Sequence, residues 1–226
     1  MSASLTLIPT TQPPVVGMIS SIIMNPLDQL ISHFEKFPGV GGRQAKRFAF
    51  HVLRLQADES SKLANLIENA RTTVIECSSC HRYFTKRHTE ELCSICSNDN
   101  RDRSRLLVVE RDSDVQAIER AGVYDGLYFI LGGTVPLLSA PENSKLRSGA
   151  LKATVATRIP EGLSEVILGF SVNPDGENTA RFVQSFLTEV TEETVAISYL
   201  GRGLSTGSEL EYADSETIKN ALQNRA

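Results

Sequence analysis

LLVVERDSDVQAIE, residues 106–119, changes its period half-way through, and the fold is decided by that change. Leu106 to Val109 form an unbroken apolar run, which suits a strand buried on both faces rather than one with a wet side. Glu110 ends the run, Asp112 and Asp114 follow, and the segment 114–122, DVQAIERAG, takes up helical spacing. Three more apolar runs come later: LYFIL at 127–131, EVILGF at 165–170 and TVAISYL at 194–200, with a second helical pattern, ENTARFVQSFLTEV, at 177–190. Strands alternating with helices predict a mostly parallel α/β layer structure for the second half of the chain.

The first half is patterned differently. From Asn25 to about Leu55 the spacing is helical: Leu27, Leu30, Ile31 and Phe34 precede a break at FPGVG, and Ala45, Phe48, Ala49, Val52 and Leu53 resume the period. This predicts two short helices joined by a glycine hairpin. A further helix is expected between Asp58 and Arg71, with Leu63, Leu66, Ile67 and Ala70 on one face and Asp58 or Ser60 near its cap. Residues 1–23, rich in Ser, Thr and Pro, show no sustained period and read as a flexible tail. At 226 residues the chain is long enough for several modules, and 41% hydrophobic with 22% charged residues places it among folded proteins.

Formal net charge is −4, so a polyanionic partner would have to be held by a local basic patch. Such a patch lies at the hairpin. Over residues 30–54 the cations Lys36, Arg43, Lys46, Arg47 and Arg54 face a single acid, Glu35. Gly39 and Gly41, flanking Val40, permit a tight reversal that leaves backbone N–H groups at the start of the next helix pointing outward. Arg43 and Arg47 share a face by their four-residue spacing. Phosphate binding fits these residues, and so does a glycine-capped corner carrying solvated cations.

All four cysteines fall in Cys77-x₂-Cys80-x₁₂-Cys93-x₂-Cys96. Paired x₂ knuckles supply four thiolates to one tetrahedral ion and leave no open position for a substrate, which predicts a structural metal in a segment with little core of its own. Zinc and an iron–sulfur cluster both accept four cysteines, and spacing alone does not separate them. His81 and His88 are expected at the surface and not among the ligands. The apolar stretch at 15–24 is too short to span a bilayer, and no Lys or Arg precedes Lys36, so a secretory leader is not expected. Clustered thiols then point to the reducing cytoplasm.

Glu110 sits at the carboxyl end of a predicted strand, where α/β folds place functional groups, and Asp112, Asp114, Asp175 and Glu177 stand near other element ends. Converging carboxylates of this kind chelate Mg²⁺ for phosphoryl chemistry. Asp112, Asp114 and Asp175 also suit a plainer role, capping helices and stabilising their first turns.

Taken in order, LISHFEKFPGVGGRQAKRFAFHVL, the CSSC and CSIC knuckles, RLLVVERDSDVQAIE, GLYFILGG, DGENTA and YLGRGLSTGSELEYADSETIKNAL resemble the bacterial RecR family of recombination mediators, from about Met24 onward. The resemblance implies a multi-module fold of α+β and α/β type. Its parts are a helix-hairpin-helix at 24–56, a connecting helix at 57–76 and a four-cysteine zinc finger at 77–98. An α/β Toprim domain with a mostly parallel sheet follows at 104–192, then a C-terminal Walker-B-like strand and helix segment at 193–226. It implies Zn²⁺ at Cys77, Cys80, Cys93 and Cys96, and DNA contacts from Gly39, Gly41, Arg43, Lys46 and Arg47. Glu110 matches the Toprim glutamate and Asp114 an acid that follows it; the two are expected to receive a basic partner protein.

The implied role is a non-enzymatic clamp and adaptor in recombinational DNA repair. It would bind single- and double-stranded DNA without sequence preference, as a homodimer or homotetramer, in the nucleoid-associated cytoplasm with no membrane contact. RecO and RecF are the implied partners, acting with it to load recombinase on gapped DNA. Catalytic Toprim domains carry a DxD pair where this chain has Ser171 and Asn173, so the competing expectation, a Mg²⁺-dependent nuclease or topoisomerase-like enzyme, lacks two metal-binding carboxylates. Two local departures from the family pattern are a longer loop between the knuckles and GGTVPLLSAPENSKLR at 132–147.

Overall fold

A computed structural model describes residues 25–87, 89–138, 146–192, 194–201, 203–204, 207, 210–213 and 215–223; the tail expected at 1–23 and His88 lie outside the described residues. The chain divides after Ile67 into two compact units. In the first, α1 (Pro26–Glu35) starts where Asn25 caps it, the Asn25 Oδ1 accepting the Asp28 N–H at 3.0 Å, with proline at the first turn. α2 (Gly42–Arg54) packs back on α1. Ala45 and Ala49 are fully buried, and the Phe34 ring meets Phe37 and Phe48 edge to face at 5.7 and 5.8 Å. Small residues on α2 let the helices approach, and the aromatic trio fills what remains.

α3 (Ala57–Thr73) runs across the division. The apolar face expected on it is present but uncovered: Leu63, Leu66 and Ile67 are exposed.

The second unit opens with a short antiparallel ribbon of β1 (Val74–Glu76) and β2 (Tyr83–Thr85). The α/β layer follows as β3 (Asp102–Val109), α4 (Asp112–Ala121), β4 (Gly126–Ile130), α5 (Ser148–Arg158), β5 (Glu165–Gly169), α6 (Pro174–Thr191) and β6 (Ala196–Tyr199). A 3₁₀ turn at Leu210–Tyr212 and α7 (Ser215–Gln223) complete the chain. The sheet is parallel throughout, in the order β4-β3-β5-β6, with Val109 opposite Ile130 on one side and Gly169 on the other.

Leu106 to Val109 and every residue of β4 are buried, as their uninterrupted apolar runs require. β6, assigned from the sequence to a C-terminal segment, is hydrogen-bonded into this sheet as its edge strand. Because β4 and β5 flank β3 on opposite sides, the connection reverses direction at β3. That switch point opens at the carboxyl ends of β3 and β5. Among the described residues no helix is long and apolar enough to cross a membrane.

At the amino end of β3, the Asp102 carboxylate accepts the Ser104 hydroxyl at 2.6 Å, the Ser104 N–H at 2.9 Å and Arg105 Nε at 2.7 Å. The Ser104 hydroxyl first, then Arg105 and the Ser104 backbone, hold this carboxyl down at about 2. A depressed acid contributes stability above its unfolded value of about 4 and loses it as pH falls through the folded one. Asp102→Asn is therefore expected to lower the urea midpoint near neutrality, with the gap to wild type closing as pH drops from about 4 toward 2. A gap independent of pH would contradict this.

Candidate nucleic-acid interface and metal centre

The hairpin between α1 and α2 is built from three backbone bonds: Phe37 N–H to the Phe34 carbonyl at 3.1 Å, Val40 N–H to Phe37 at 3.0 Å, and Gln44 N–H to Gly41 at 2.9 Å. Gly39 has φ +77°, a left-handed conformation costly to any residue with a Cβ. Gly41 is different. It caps α2 in extended geometry at φ −85°, with open space where a Cβ would lie, so the backbone does not require glycine there. The N–H groups of Gly42 and Arg43 find no acceptor among the described residues, as expected of a helix's first turn. Arg43, Lys46 and Arg47 are exposed on the same helix, and no ion pair among the described residues engages them. Hairpin donors and cations are thus available to an anion.

The cysteines converge as their spacing predicts. All four are buried, and their sulfurs lie within 4.8 Å of one another. Cys80 Sγ is 3.6 Å from Cys93 Sγ, too far for a disulfide and close to the roughly 3.8 Å set by two sulfurs about 2.3 Å from one tetrahedral ion. Each knuckle is a tight turn closed by its own backbone: His81 N–H to the Cys77 carbonyl and Ser97 N–H to the Cys93 carbonyl, both at 3.0 Å. Crowded thiols titrate apart. Contact with Cys80 pulls the Cys77 thiol down, and contact with Cys77 pushes the Cys80 thiol up. The four buried cysteines can hold a metal ion. A cation resolves this competition by taking four thiolates at once.

The cysteines belong to the same apolar cluster as the sheet. Ile130 at the end of edge strand β4 donates its N–H to the Cys80 carbonyl at 2.9 Å. His81 is not a ligand, but neither is it a surface residue. Its side chain is mostly buried, in left-handed backbone at φ +62°, with the ring edge to face on Phe129 at 4.9 Å. Its Nδ1 lies 2.5 Å from the Glu76 carboxylate, which also takes Arg147 Nη2 at 3.1 Å. Burial opposes ionisation of Glu76, and the bonds from His81 and Arg147 outweigh it, leaving the carboxyl below its usual range. Arg147 Nη1 continues to the Ile130 carbonyl at 3.2 Å, and a Cβ on Gly132 would stand 2.6 Å from that nitrogen. The Gly-Gly after β4 thus makes room for a guanidinium that fastens the ribbon to the sheet.

At the switch point, Glu110 is only 5% exposed, and its Oε1 accepts the Ser171 N–H at 3.0 Å across the gap between β3 and β5. Asp114 caps α4, its Oδ2 accepting the Arg111 N–H at 2.8 Å. Asp112 Oδ1 takes the Tyr83 N–H at 2.9 Å and ties the ribbon to α4, while Asp175 Oδ1 takes the Leu137 N–H at 2.9 Å. Asn173 caps α6 through the Gly176 N–H at 2.8 Å. Gly176 is obligatory, because a Cβ there would lie 2.0 Å from the Ser171 carbonyl. These acids fasten loops and cap helices. Among the described residues, the cysteines are the one group of three or more His, Cys, Asp or Glu side chains whose ligand atoms converge.

Family models match three stretches: "RecR, helix-hairpin-helix" over residues 27–71, "Toprim domain" over 104–201, and "RecR, C-terminal" over 203–226. The recombination protein RecR of Legionella pneumophila strain Corby is 37% identical over 204 residues, covering 90% of this chain and 98% of its own. The chain belongs to the RecR family. Its RecR relatives include those of Rhodopirellula baltica, 36% identical over 88% of this chain and 95% of the relative, and of Rubrobacter xylanophilus, 37% identical with the same coverage. The Toprim match takes in β6, in keeping with that strand's place in the sheet. In this RecR-family chain Ser171 serves as a loop amide donor and Asn173 as a helix cap.

Sequence reasoning missed the Glu76, His81 and Arg147 set. Its members are far apart in the chain and carry no spacing signal, and only the unusual His next to a knuckle hinted at it. Cys93→Ser is expected to lower the metal-to-protein ratio and the melting temperature together, read by elemental analysis and thermal unfolding. An unchanged metal content would show that the four sulfurs do not act as one ligand set.

Proposed function

We propose that this chain is a non-enzymatic DNA-binding clamp and adaptor in recombinational repair. The observation that carries the reading is the glycine hairpin, where Arg43, Lys46 and Arg47 stand exposed beside the N–H groups of Gly42 and Arg43, and neither cations nor N–H groups find a partner among the described residues. Backbone N–H groups and cations together recognise phosphate without reading bases, which suits both single- and double-stranded DNA. Gly39 sets the turn, and Gly41 lets the backbone approach the strand.

The four-cysteine site holds Zn²⁺ in this proposal, as a structural ion bound by Cys77, Cys80, Cys93 and Cys96. Glu110 and Asp114 organise the acidic edge that receives a basic partner, RecO, with RecF acting in the same loading of recombinase on gapped DNA. Glu110 acts there through the Ser171 loop that it holds, since its own carboxylate is buried. The exposed Phe37, Phe50, Leu53, Leu66 and Ile67 of the first unit favour self-association as a homodimer or homotetramer. Clustered thiols and a DNA partner support a cytoplasmic, nucleoid-associated assembly. Acids occupied as caps and loop anchors support holding DNA and proteins over cutting strands.

Replacing Arg43 and Arg47 with Ala should weaken binding to duplex DNA and flatten log Kd against log salt by about 0.9 for each phosphate no longer neutralised. Unchanged affinity and slope at low salt would remove the hairpin from the interface. Asp114→Asn should reduce capture of RecO while leaving bare DNA binding intact; the reverse pattern would reassign the two faces.

A further inference from the structure

Two buried side-chain polar atoms among the described residues lack a hydrogen-bond partner, and both are guanidinium nitrogens: Arg82 Nε and Arg158 Nη1. A buried donor without an acceptor is costly, so such atoms are uncommon unless something supplies the acceptor. Each of these arginines lines a cleft on the cysteine module. Arg158, at the end of α5, lies in a cavity of about 370 Å³ with Arg103, Ser79, Thr154 and Thr157, and with Glu161 as the one acid. Arg82 lies in a neighbouring cleft of about 920 Å³ that also presents Arg87 and the exposed ring of Tyr83, opposed by Glu90 and Glu91. Leu92 is a wall of both.

We propose that the cleft between the second knuckle and α5 is a second phosphate-binding site, gripping the backbone of a DNA strand through Arg158 and Arg103. The proposal rests on the reading that the chain binds DNA. The chemistry is that of an oxyanion. Arg158 Nη2 already donates to Ser79 Oγ at 2.8 Å, which fixes the plane of the guanidinium. The guanidinium so fixed lines the cleft, and a guanidinium suits a phosphate better than a point charge does.

Arg103 supplies the second cation. Its present partner, Asp99, is 95% exposed, and an exposed ion pair is worth little, so Arg103 can turn to a phosphate with little loss. Ser79 and Thr154 add hydroxyls beside it. The neighbouring cleft continues the track past Leu92, where Arg82 and Arg87 meet the next phosphates and Tyr83 offers a face for an unpaired base. Because Cys96 lines the first cleft, the metal site fixes one wall of the strand's path.

The test uses the full-length protein and a labelled oligo(dT), with binding followed across a salt series. Arg103→Gln changes an exposed side chain and should flatten log Kd against log salt by about 0.7, the single-strand value for one phosphate. Arg158→Gln should do the same, with metal content and melting temperature confirming that the module stays folded. Arg43→Ala with Arg47→Ala is run in parallel, and its effect should add to that of Arg103→Gln. If the hairpin pair flattens the slope and neither cleft variant does, this proposal fails while the hairpin reading stands. If the cleft variants flatten it and the hairpin pair does not, the cleft stands and the hairpin reading fails. A free anion is distinguished by inorganic phosphate at constant ionic strength: phosphate-dependent thermal stabilisation that Arg103→Gln abolishes, with the oligo(dT) slope unmoved, overturns the assignment to a strand.

Discussion

Edge strand β4 ends in an N–H group that, left alone, would invite another strand, and here it is consumed by the Cys80 carbonyl of the first knuckle. This bond joins two things that the chain presents separately, a loop-rich cysteine segment and an apolar sheet. Around it the core is continuous: Cys77, Cys80, Cys93 and Cys96 are buried with Leu127 to Leu131 in one cluster. Glu76, His81 and Arg147 reinforce the join from outside, with Arg147 reaching back to the Ile130 carbonyl. A metal bound by the four sulfurs therefore stabilises the sheet edge as well as its own loops. Its loss is expected to loosen the α/β unit and not the knuckles alone.

A similar closure governs the acids. Here Glu110 closes the switch point by accepting a backbone N–H from the Ser171 loop, and Gly176 lets that loop press against the first turn of α6. Asp112, Asp114 and Asp175 each accept a backbone N–H of their own. A buried carboxylate that has found its donor gains from staying in place, since breaking the bond would strand both groups away from water.

The hairpin works by the opposite logic. Gly39 gives up backbone entropy to turn the chain, and the donors and cations that follow find no partner among the described residues. Arg82 and Arg158 repeat this condition in the second unit, but with buried donors. Among the described residues the hairpin cations have no ion pair and one nitrogen of each of these arginines lacks an acceptor, whereas the acids at the switch point are matched. A chain with net charge −4 can for that reason still present local surfaces to a polyanion.

Much of this was written in the sequence. The apolar runs specified parallel strands, buried throughout at Leu106–Val109 and in β4 but only partly in β5 and at the exposed edge β6; the FPGVG break specified a hairpin between helices; and two CxxC pairs specified one four-sulfur site, since paired knuckles bring their thiolates to a common ion. Arg43, Lys46 and Arg47 were legible because a helix maps sequence spacing directly onto a face. Tertiary structure alone decided what has no spacing signal. It seated His81 against Phe129 instead of at the surface, buried Glu110, and showed that Gly39 needs its left-handed backbone while Gly41 does not. The physical reason is range. Helical faces and knuckles are set by neighbours within a few positions, whereas burial and orphaned donors depend on partners brought together only when the layers close.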